Sequence, residues 1–352
     1  MKPWMSNLRD IEPYTPGEQP KSLYVTKLNT NENPYPPAPG VRRVLAEVSD
    51  EQIRRYPDPS CTVLTDALAD YYGVGRDQVF VGVGSDDVLA VAFQTFFCSD
   101  KPLLFPDISY AFYEVWAKLF RIPYRLVPLT EDFHLRAEDY KVENGGIIFP
   151  NPNAPTSILE SLEFVEEVVR NNPSSVVVVD EAYIDFGGES AIPLIDRYDN
   201  LVVVQTYSKS RSMAGMRIGF AIGSPEAIAA MNAVKFSYNS YTMNATALMA
   251  GVEALKDEAY FRSCIGKICQ TRDEAVLRLA ELGFTSTGCS ANFLYVSNPS
   301  LDAGRLFGDL RQADIFVRYF DKPRLSDKLR ITIGTPEQME VLYGFLEGYR
   351  QS

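Results

Sequence analysis

Side chains that could do chemistry follow several apolar runs of this 352-residue chain. Asp180 comes directly after the β-branched run 176–179, Lys209 follows the run 201–205, and Arg217 comes shortly afterwards. Runs of this kind are typical of strands that are buried on both faces. The carboxyl ends of parallel strands meet at one edge of a sheet, where ligands bind. We therefore expect a carboxylate, an amine and a guanidinium group to share one site at this edge.

This combination of groups suits pyridoxal phosphate. That cofactor needs a lysine to form an imine and an acidic partner to keep its ring nitrogen protonated, and its phosphate needs charged and backbone donors. Gly84 and Ser85 follow the run 79–83 at a predicted helix start, where free N–H groups can bind an anion. Each feature alone has a plainer explanation, namely a helix cap, a solvated strand end at Asp180 and a surface lysine at 209. The combination is more specific than any of its members.

The elements that must position these groups alternate between strand-like and helical patterns from about residue 41. The predicted strands of this region are 79–83, 103–105, 146–150, 176–179 and 201–205. This alternation indicates an α/β fold whose large domain has a doubly wound, mostly parallel sheet. Beyond about residue 250, a long helical stretch and shorter strands predict a smaller α+β domain. The predicted parts are an N-terminal arm associated with the small domain (1–40), the large domain (41–250) and the small domain (251–352).

Local signals sharpen this picture at both ends of the chain. The first forty residues are rich in Pro, Asn and Tyr, which disfavours regular helix and predicts an extended arm. In the second half, 292–296, 315–318 and 329–333 are predicted strands. The last helix is predicted to begin after the N-cap Thr335, with Gln338 as its capping-box partner.

Composition excludes several classes of function. The net charge of −12 and the pI of about 4.8 argue against a nucleic-acid partner, which needs a basic surface. Five dispersed cysteines do not suggest a disulfide framework, and the single histidine, His134, argues against a metal site or a histidine-based triad. No run has the ~18 apolar residues of a membrane span. We expect a cytoplasmic protein with no membrane or metal partner.

The chain resembles the fold type I pyridoxal-phosphate aminotransferases, and most closely the histidinol-phosphate aminotransferase family. The matching stretches span nearly the whole chain: 13–17, 28–37, 55–58, 84–87, 150–156, 180–183, 208–209, 217 and 329–332. The resemblance implies a homodimer in which Tyr56 reaches the cofactor phosphate and the substrate of the other subunit. It also implies small amino and 2-oxo acids as substrates.

The resemblance further implies a role for each matching residue. Lys209 would form the aldimine and move the substrate proton, Asp180 would pair with the ring nitrogen, and Tyr183 would donate to the phenolate oxygen O3′. The other cofactor-binding residues implied are Gly84, Ser85, Asp86, Tyr110, Asn153, Thr206, Ser208 and Arg217. Those implied for the substrate are Arg330, on the α-carboxylate, and Tyr14 and Arg318, near its phosphate.

One stretch departs from the family pattern. The family usually has Asn-Asn-Pro-Thr-Gly where this chain has Asn153-Ala154-Pro155-Thr156-Ser157. Ala154 has no side-chain donor, so either Asn153 contacts O3′ through a shifted loop or Tyr183 alone serves that oxygen.

The function that the resemblance implies is transamination of L-histidinol phosphate with 2-oxoglutarate, by a ping-pong route, in histidine biosynthesis. Two alternatives keep the fold: an aromatic or broad-specificity aminotransferase, and a phosphothreonine decarboxylase. A third, from another class, is a non-catalytic effector-binding regulator. The last usually needs a basic DNA-binding region, which the charge of −12 does not favour.

Overall fold

The structure is a computed structural model that describes residues 2–22 and 24–350. The strands of this part of the chain are β1 (Thr26–Lys27), β2 (Val79–Gly82), β3 (Leu103–Pro106), β4 (Tyr124–Val127), β5 (Gly146–Pro150), β6 (Val177–Asp180), β7 (Leu201–Thr206), β8 (Gly219–Gly223), β9 (Thr285–Ser286), β10 (Phe293–Ser297), β11 (Ile315–Phe316), β12 (Arg318–Tyr319) and β13 (Lys328–Thr332). The α-helices are α1 (Pro39–Ala46), α2 (Asp50–Arg54), α3 (Thr62–Tyr72), α4 (Ser85–Phe96), α5 (Phe112–Phe120), α6 (Leu162–Asn171), α7 (Pro225–Tyr238), α8 (Ala245–Lys256), α9 (Glu258–Glu281), α10 (Ala303–Gln312) and α11 (Pro336–Arg350).

The central sheet has seven strands in the order β2-β8-β7-β6-β5-β3-β4. β8 runs antiparallel to both of its neighbours, and the remaining neighbours pair in parallel. Successive side chains of a strand point to opposite faces, and in β6 Val177 and Val179 join one hydrophobic cluster while Val178 joins another. Both faces are therefore covered, which explains the unbroken valine runs. The predicted α/β fold with a mostly parallel sheet is confirmed.

A second, antiparallel sheet has the order β12-β13-β10-β9 and forms its own buried core with α9, α10 and α11. The predicted strand 315–318 is wrong as one element. Ile315–Phe316 pairs in parallel with β1 of the arm, whereas Arg318 belongs to the four-stranded sheet. The predicted capping box is present, because Gln338 N–H donates to Thr335 Oγ1 at 3.3 Å and Gln338 Oε1 accepts from Thr335 N–H at 2.9 Å.

The arm is attached to this second sheet. Leu28 is fully buried, its N–H donates to Phe316 O at 2.7 Å, and its carbonyl accepts from Thr332 N–H at 2.9 Å. A short 3₁₀ helix at Pro3–Asn7 is the exception to the extended conformation predicted for the arm. We keep the division into three parts as a proposal: α8 up to Leu255 packs in the core of the large sheet, which Tyr295 and Leu325 of the predicted small domain also join. Within the described residues, no helix combines the length and the apolar character that crossing a bilayer requires.

Candidate active site

The carboxyl ends of β2, β6 and β7 meet the beginning of β8 at one edge of the central sheet. Gly219, the first residue of β8, pairs with Gly82 at the end of β2 and with Thr206 at the end of β7. Asp180 ends the parallel strand β6 next to β7. Because β8 runs antiparallel to β2 and β7, Arg217, which comes just before β8, lies at the same edge as the residues that follow β2 and β7. The sheet therefore brings together groups that lie up to about 130 residues apart in the sequence.

Asp180 is an enclosed carboxylate, only 4% exposed. Its Oδ2 accepts from Tyr113 Oη at 2.8 Å and its Oδ1 accepts from Ala182 N–H at 3.2 Å. Among the described residues, no cationic side chain lies within 4 Å of it to form an ion pair. Burial raises the pKa of Asp180 to about 6, since the charged form is poorly solvated. Such a carboxylate suits a cationic ring N–H that would bring the missing positive charge.

Lys209 lines the cleft beside this edge and is half-buried. Its Nζ donates to the Thr30 carbonyl at 3.2 Å and lies 5.8 Å from the ring centroid of Tyr183. The Tyr183 hydroxyl in turn accepts from Asn31 Nδ2 at 2.9 Å. An amine and a phenol thus face the same space, as the imine-forming lysine and the O3′ donor require.

The phosphate cradle predicted from the sequence forms a connected cluster. Gly84 has φ +81°, and a Cβ there would lie 2.5 Å from Arg217 Nη2, so only glycine lets the guanidinium approach this closely. Arg217 Nη1 donates to Ser208 Oγ at 3.4 Å, and Ser208 N–H donates to Thr206 Oγ1 at 3.1 Å. Ser85 begins α4 at this point, which provides helix N-terminal N–H groups next to the guanidinium. These donors fit a phosphate group.

The two aspartates of the cradle have separate tasks. Asp87 Oδ2 accepts from Val83 N–H at 2.9 Å and so closes the turn into α4. Asp86 links the cradle to the cleft, because it accepts from Tyr110 Oη at 2.7 Å and lies 3.5 Å from Arg217 Nη2. Burial raises the pKa of Tyr110 well above its usual value, so the phenol stays a donor. Tyr110 itself lines the cleft, where its ring is available for stacking.

Arg318 and Arg330 lie at the outer end of the cleft. Within the described residues, neither Arg318 nor Arg330 takes part in an ion pair, and both line the same space of about 430 Å³. Arg330 Nη2 donates to Asn29 O at 3.1 Å, while its enclosed Nε has no partner. Burial lowers the pKa of Arg330, as expected for a cation removed from water. An anion bound here would stabilise both charges.

The arm covers this outer end. Arg318 donates to the carbonyls of Thr15, at 3.2 Å, and Pro16, at 3.4 Å. Tyr14 lines the cleft and stacks on Phe112, with 4.2 Å between ring centroids. The arm, the second sheet and the large sheet therefore all contribute walls to one cleft.

Neither Asn153 nor Tyr56, both predicted site residues, lines the cleft. Asn153 is buried, and its Nδ2 donates to Ile108 O at 3.0 Å and to Thr156 Oγ1 at 3.1 Å, which gives it a structural role in its loop. Tyr56 is 83% exposed and packs only its ring against Tyr241, at 4.7 Å. Ala154 and Pro155, rather than Asn153, line the cleft.

Sequence reasoning assigned no role to two residues that hold the predicted ones. Tyr113, the hydrogen-bond partner of Asp180, lies one helical turn after Tyr110, which is a weak signal for a shared face. Asn31, the partner of Tyr183, lies in the polar run 29–33, but its role could not be assigned from that run. Both depend on contacts between residues far apart in the chain.

Comparisons with known proteins show which family the chain as a whole resembles. The family model described as aminotransferase class I and II matches residues 24–346. A histidinol-phosphate aminotransferase of Lactococcus lactis subsp. cremoris (strain MG1363) is 49% identical over 346 residues, which cover 98% of this chain and 97% of that protein. The similarity is therefore continuous over nearly the full length.

Solved structures show the same fold at low sequence identity. The histidinol-phosphate aminotransferase from Sinorhizobium meliloti in complex with pyridoxal-5'-phosphate has a TM-score of 0.82 at 21% identity and covers 92% of this chain and 90% of that one. The L-threonine-O-3-phosphate decarboxylase from Porphyromonas gingivalis has a TM-score of 0.79 at 21% identity, covering 93% and 99%. The fold type I architecture expected from the resemblance is thus confirmed. With the family match over residues 24–346, these similarities show that the chain belongs to the aminotransferase class I and II family.

Proposed function

We propose that this protein is a pyridoxal-phosphate-dependent histidinol-phosphate aminotransferase. It moves the amino group of L-histidinol phosphate to 2-oxoglutarate, or the reverse, by a ping-pong route that serves histidine biosynthesis. Relatives with this name that are almost half identical over nearly the whole chain support the assignment. The shared fold does not choose between transfer and decarboxylation, since a decarboxylase has it as well.

The residues at the sheet edge fit the cofactor. Asp180 would hold the protonated ring nitrogen, the cradle around Gly84 and Arg217 would hold the phosphate, and Tyr110 would stack on the ring. When bound, the cofactor supplies an aldehyde that takes up the amino group and a ring that withdraws electrons. Burial disfavours the charged form of Asp180 and raises its pKa to about 6. A protonated ring nitrogen next to Asp180 would offset this cost, so the carboxylate would hold the cofactor ring in its electron-withdrawing form.

Lys209 is the proposed proton carrier. Its Nζ donates a hydrogen bond to the Thr30 carbonyl at 3.2 Å, which holds the amine inside the cleft. A free amine at this position would take the proton from the substrate Cα and return it on the same face of the bound cofactor. Tyr183, next to it, would hold the phenolate oxygen in place.

The single observation that carries the substrate assignment is the pair of guanidinium groups on Arg318 and Arg330, neither of which has a carboxylate partner among the described residues. L-Histidinol phosphate has a phosphate group and no carboxylate, and 2-oxoglutarate has two carboxylates. One pair of arginines can bind either dianion, and arginine is suited to bidentate contact with both groups. A ping-pong enzyme needs this because both substrates use one site.

Two further features belong to the proposal. The exposed ring pair of Tyr56 and Tyr241, together with the exposed apolar side chains of Ile53 (71%) and Tyr238 (65%) three residues before each of them, supports a homodimer in which Tyr56 reaches the cofactor phosphate of the partner. The cytoplasmic location expected from the sequence is kept as part of the same proposal.

A donor panel tests the substrate. The purified protein loaded with pyridoxal phosphate is incubated with 2-oxoglutarate and one donor at a time: L-histidinol phosphate, L-histidinol, L-phenylalanine, L-tyrosine or O-phospho-L-threonine. Glutamate and CO₂ are both measured. We expect glutamate from L-histidinol phosphate with a kcat/KM at least about 100-fold above that for L-histidinol, since two charge-assisted contacts are lost without the phosphate. Equal rates with aromatic donors would indicate a broad-specificity enzyme, and CO₂ release would indicate a decarboxylase.

A further inference from the structure

Three consecutive residues of the arm, 29–31, each contact one polar side chain of the cleft. Two of them use backbone carbonyls, which any residue type could provide. The third uses a side-chain amide, which makes the contact specific to the residue. The pairs are Asn29 with Arg330 at 3.1 Å, Thr30 with Lys209 at 3.2 Å, and Asn31 with Tyr183 at 2.9 Å.

Asn31 is fixed on every side. It is 1% exposed, its N–H donates to Thr332 Oγ1 at 2.9 Å, and its carbonyl accepts from Asn292 Nδ2 at 2.9 Å. Its φ is +55°, a left-handed conformation that asparagine tolerates better than most residues. The Thr332 hydroxyl, which accepts from the Asn31 N–H, donates its own proton to Asn31 Oδ1 at 3.1 Å. This contact orients the amide, so that Nδ2 faces Tyr183.

The orientation of the amide decides where the Tyr183 proton goes. An amide nitrogen only donates, so the phenol oxygen must be the acceptor in this hydrogen bond. The single proton of the phenol is then free for another acceptor, and Tyr183 lines the cleft next to Lys209. We infer that Asn31 is a positioning residue that makes Tyr183 a hydrogen-bond donor toward the phenolate oxygen of the cofactor. This inference rests on the cofactor of the proposed function.

The loop at Ala154 explains why such a residue matters in this chain. Ala154 faces the cleft without a side-chain donor, and the amide of Asn153 is already committed to Ile108 O and Thr156 Oγ1. The contact with the phenolate oxygen therefore depends on Tyr183. Asn31, from the arm, keeps the Tyr183 hydroxyl proton available for that oxygen.

The test is a pH titration of the absorbance of the bound cofactor, which does not depend on turnover. A hydrogen bond donated to a phenolate oxygen stabilises its negative charge and lowers the pH at which the chromophore changes. We expect Asn31→Ala to raise this midpoint by about one pH unit, since a hydrogen bond to a charged group is lost or weakened. Asn31→Asp keeps the size of the side chain but accepts the phenol proton, so it should raise the midpoint at least as much.

Two controls separate positioning from a structural effect. In a Tyr183→Phe background, which already lacks the phenol, Asn31→Ala should give no further shift. Asn33→Ala removes a neighbouring amide that donates to Ser210 O at 3.0 Å and should leave the midpoint unchanged. An unchanged midpoint in both Asn31 variants, or an equal shift with and without the phenol, would overturn the inference. If the variants shift the midpoint as expected but the wild-type protein does not turn over L-histidinol phosphate, only the proposed substrate is overturned.

Discussion

The two ends of the cleft differ in how their charges are held. At the inner end, on the central sheet, the buried Asp180 accepts a hydrogen bond from Tyr113 and Arg217 lies 3.5 Å from Asp86, so both charged groups are oriented by other side chains before any ligand binds. At the outer end, on the second sheet and the arm, the hydrogen bonds that Arg318 and Arg330 donate within the described part of the chain all go to backbone carbonyls. This difference fits the proposed function, in which the inner end holds a resident cofactor and the outer end exchanges anionic substrates.

Removing the amine at the inner end should have the largest effect. We expect Lys209→Ala to lower kcat at least about 10³-fold, because both the covalent attachment and the proton transfer depend on this amine. The absorbance of the covalently attached cofactor should be lost as well, and both quantities are measured on the same preparation.

The control for this change is Lys256→Ala, which removes an exposed amine paired with Glu253 outside the cleft. It should behave as the wild type in both measurements. An active Lys209→Ala protein that still binds the cofactor covalently would contradict the assignment of the inner end.

A change at the outer end should alter selectivity and leave the cofactor in place. We expect Arg318→Ala to reduce the preference for L-histidinol phosphate over L-histidinol by about 10- to 100-fold, since a charge-assisted contact to the phosphate is lost. The measurement is kcat/KM for both donors, together with the cofactor absorbance.

Arg305→Ala is a matched control, because Arg305 is an exposed arginine on α10 that lies 3.7 Å from Asp309. It should leave the preference unchanged. If Arg318→Ala instead released the cofactor, the separation of the two ends would be wrong.

The smallest expected effect is that of replacing Asp180 on stability. The replacement should stabilise the protein without the cofactor and weaken the binding of the cofactor. The folded-state pKa of Asp180 is about 6, above the usual 3.8, so the charged carboxylate destabilises the apoprotein by about 3 kcal/mol above pH 6. This cost grows as the pH rises from about 4 to about 6. We expect Asp180→Asn to raise the melting temperature of the apoprotein at pH 8, with little gain at pH 4, and to weaken cofactor binding at pH 8.

The exposed Asp66, 3.1 Å from Arg76, provides the comparison. Asp66→Asn should bring no stability gain at pH 8, because water already solvates that carboxylate. A loss of apoprotein stability in Asp180→Asn at pH 8 would mean that the enclosed carboxylate is stabilised by its contacts rather than strained by burial.

Local sequence predicted the inner end better than the outer one. The valine runs of β6 and β7 and the glycine at 84 are all encoded within a few neighbouring residues. The strand predicted at 315–318 was wrong because its two halves pair with different partners, β1 and β13, and pairing partners are not readable from a run of four residues. The site roles themselves stay proposals.

The sequence by itself determined which residues could do the chemistry and that they follow buried strands, since residue type and hydrophobic periodicity are local properties. Only the tertiary structure decided that Asn31 meets Tyr183, that Tyr113 meets Asp180 and that Asn153 turns away from the cleft. The physical reason is that these hydrogen bonds join residues 45 to 152 positions apart. Their geometry depends on the docking of the arm and on the register of whole sheets.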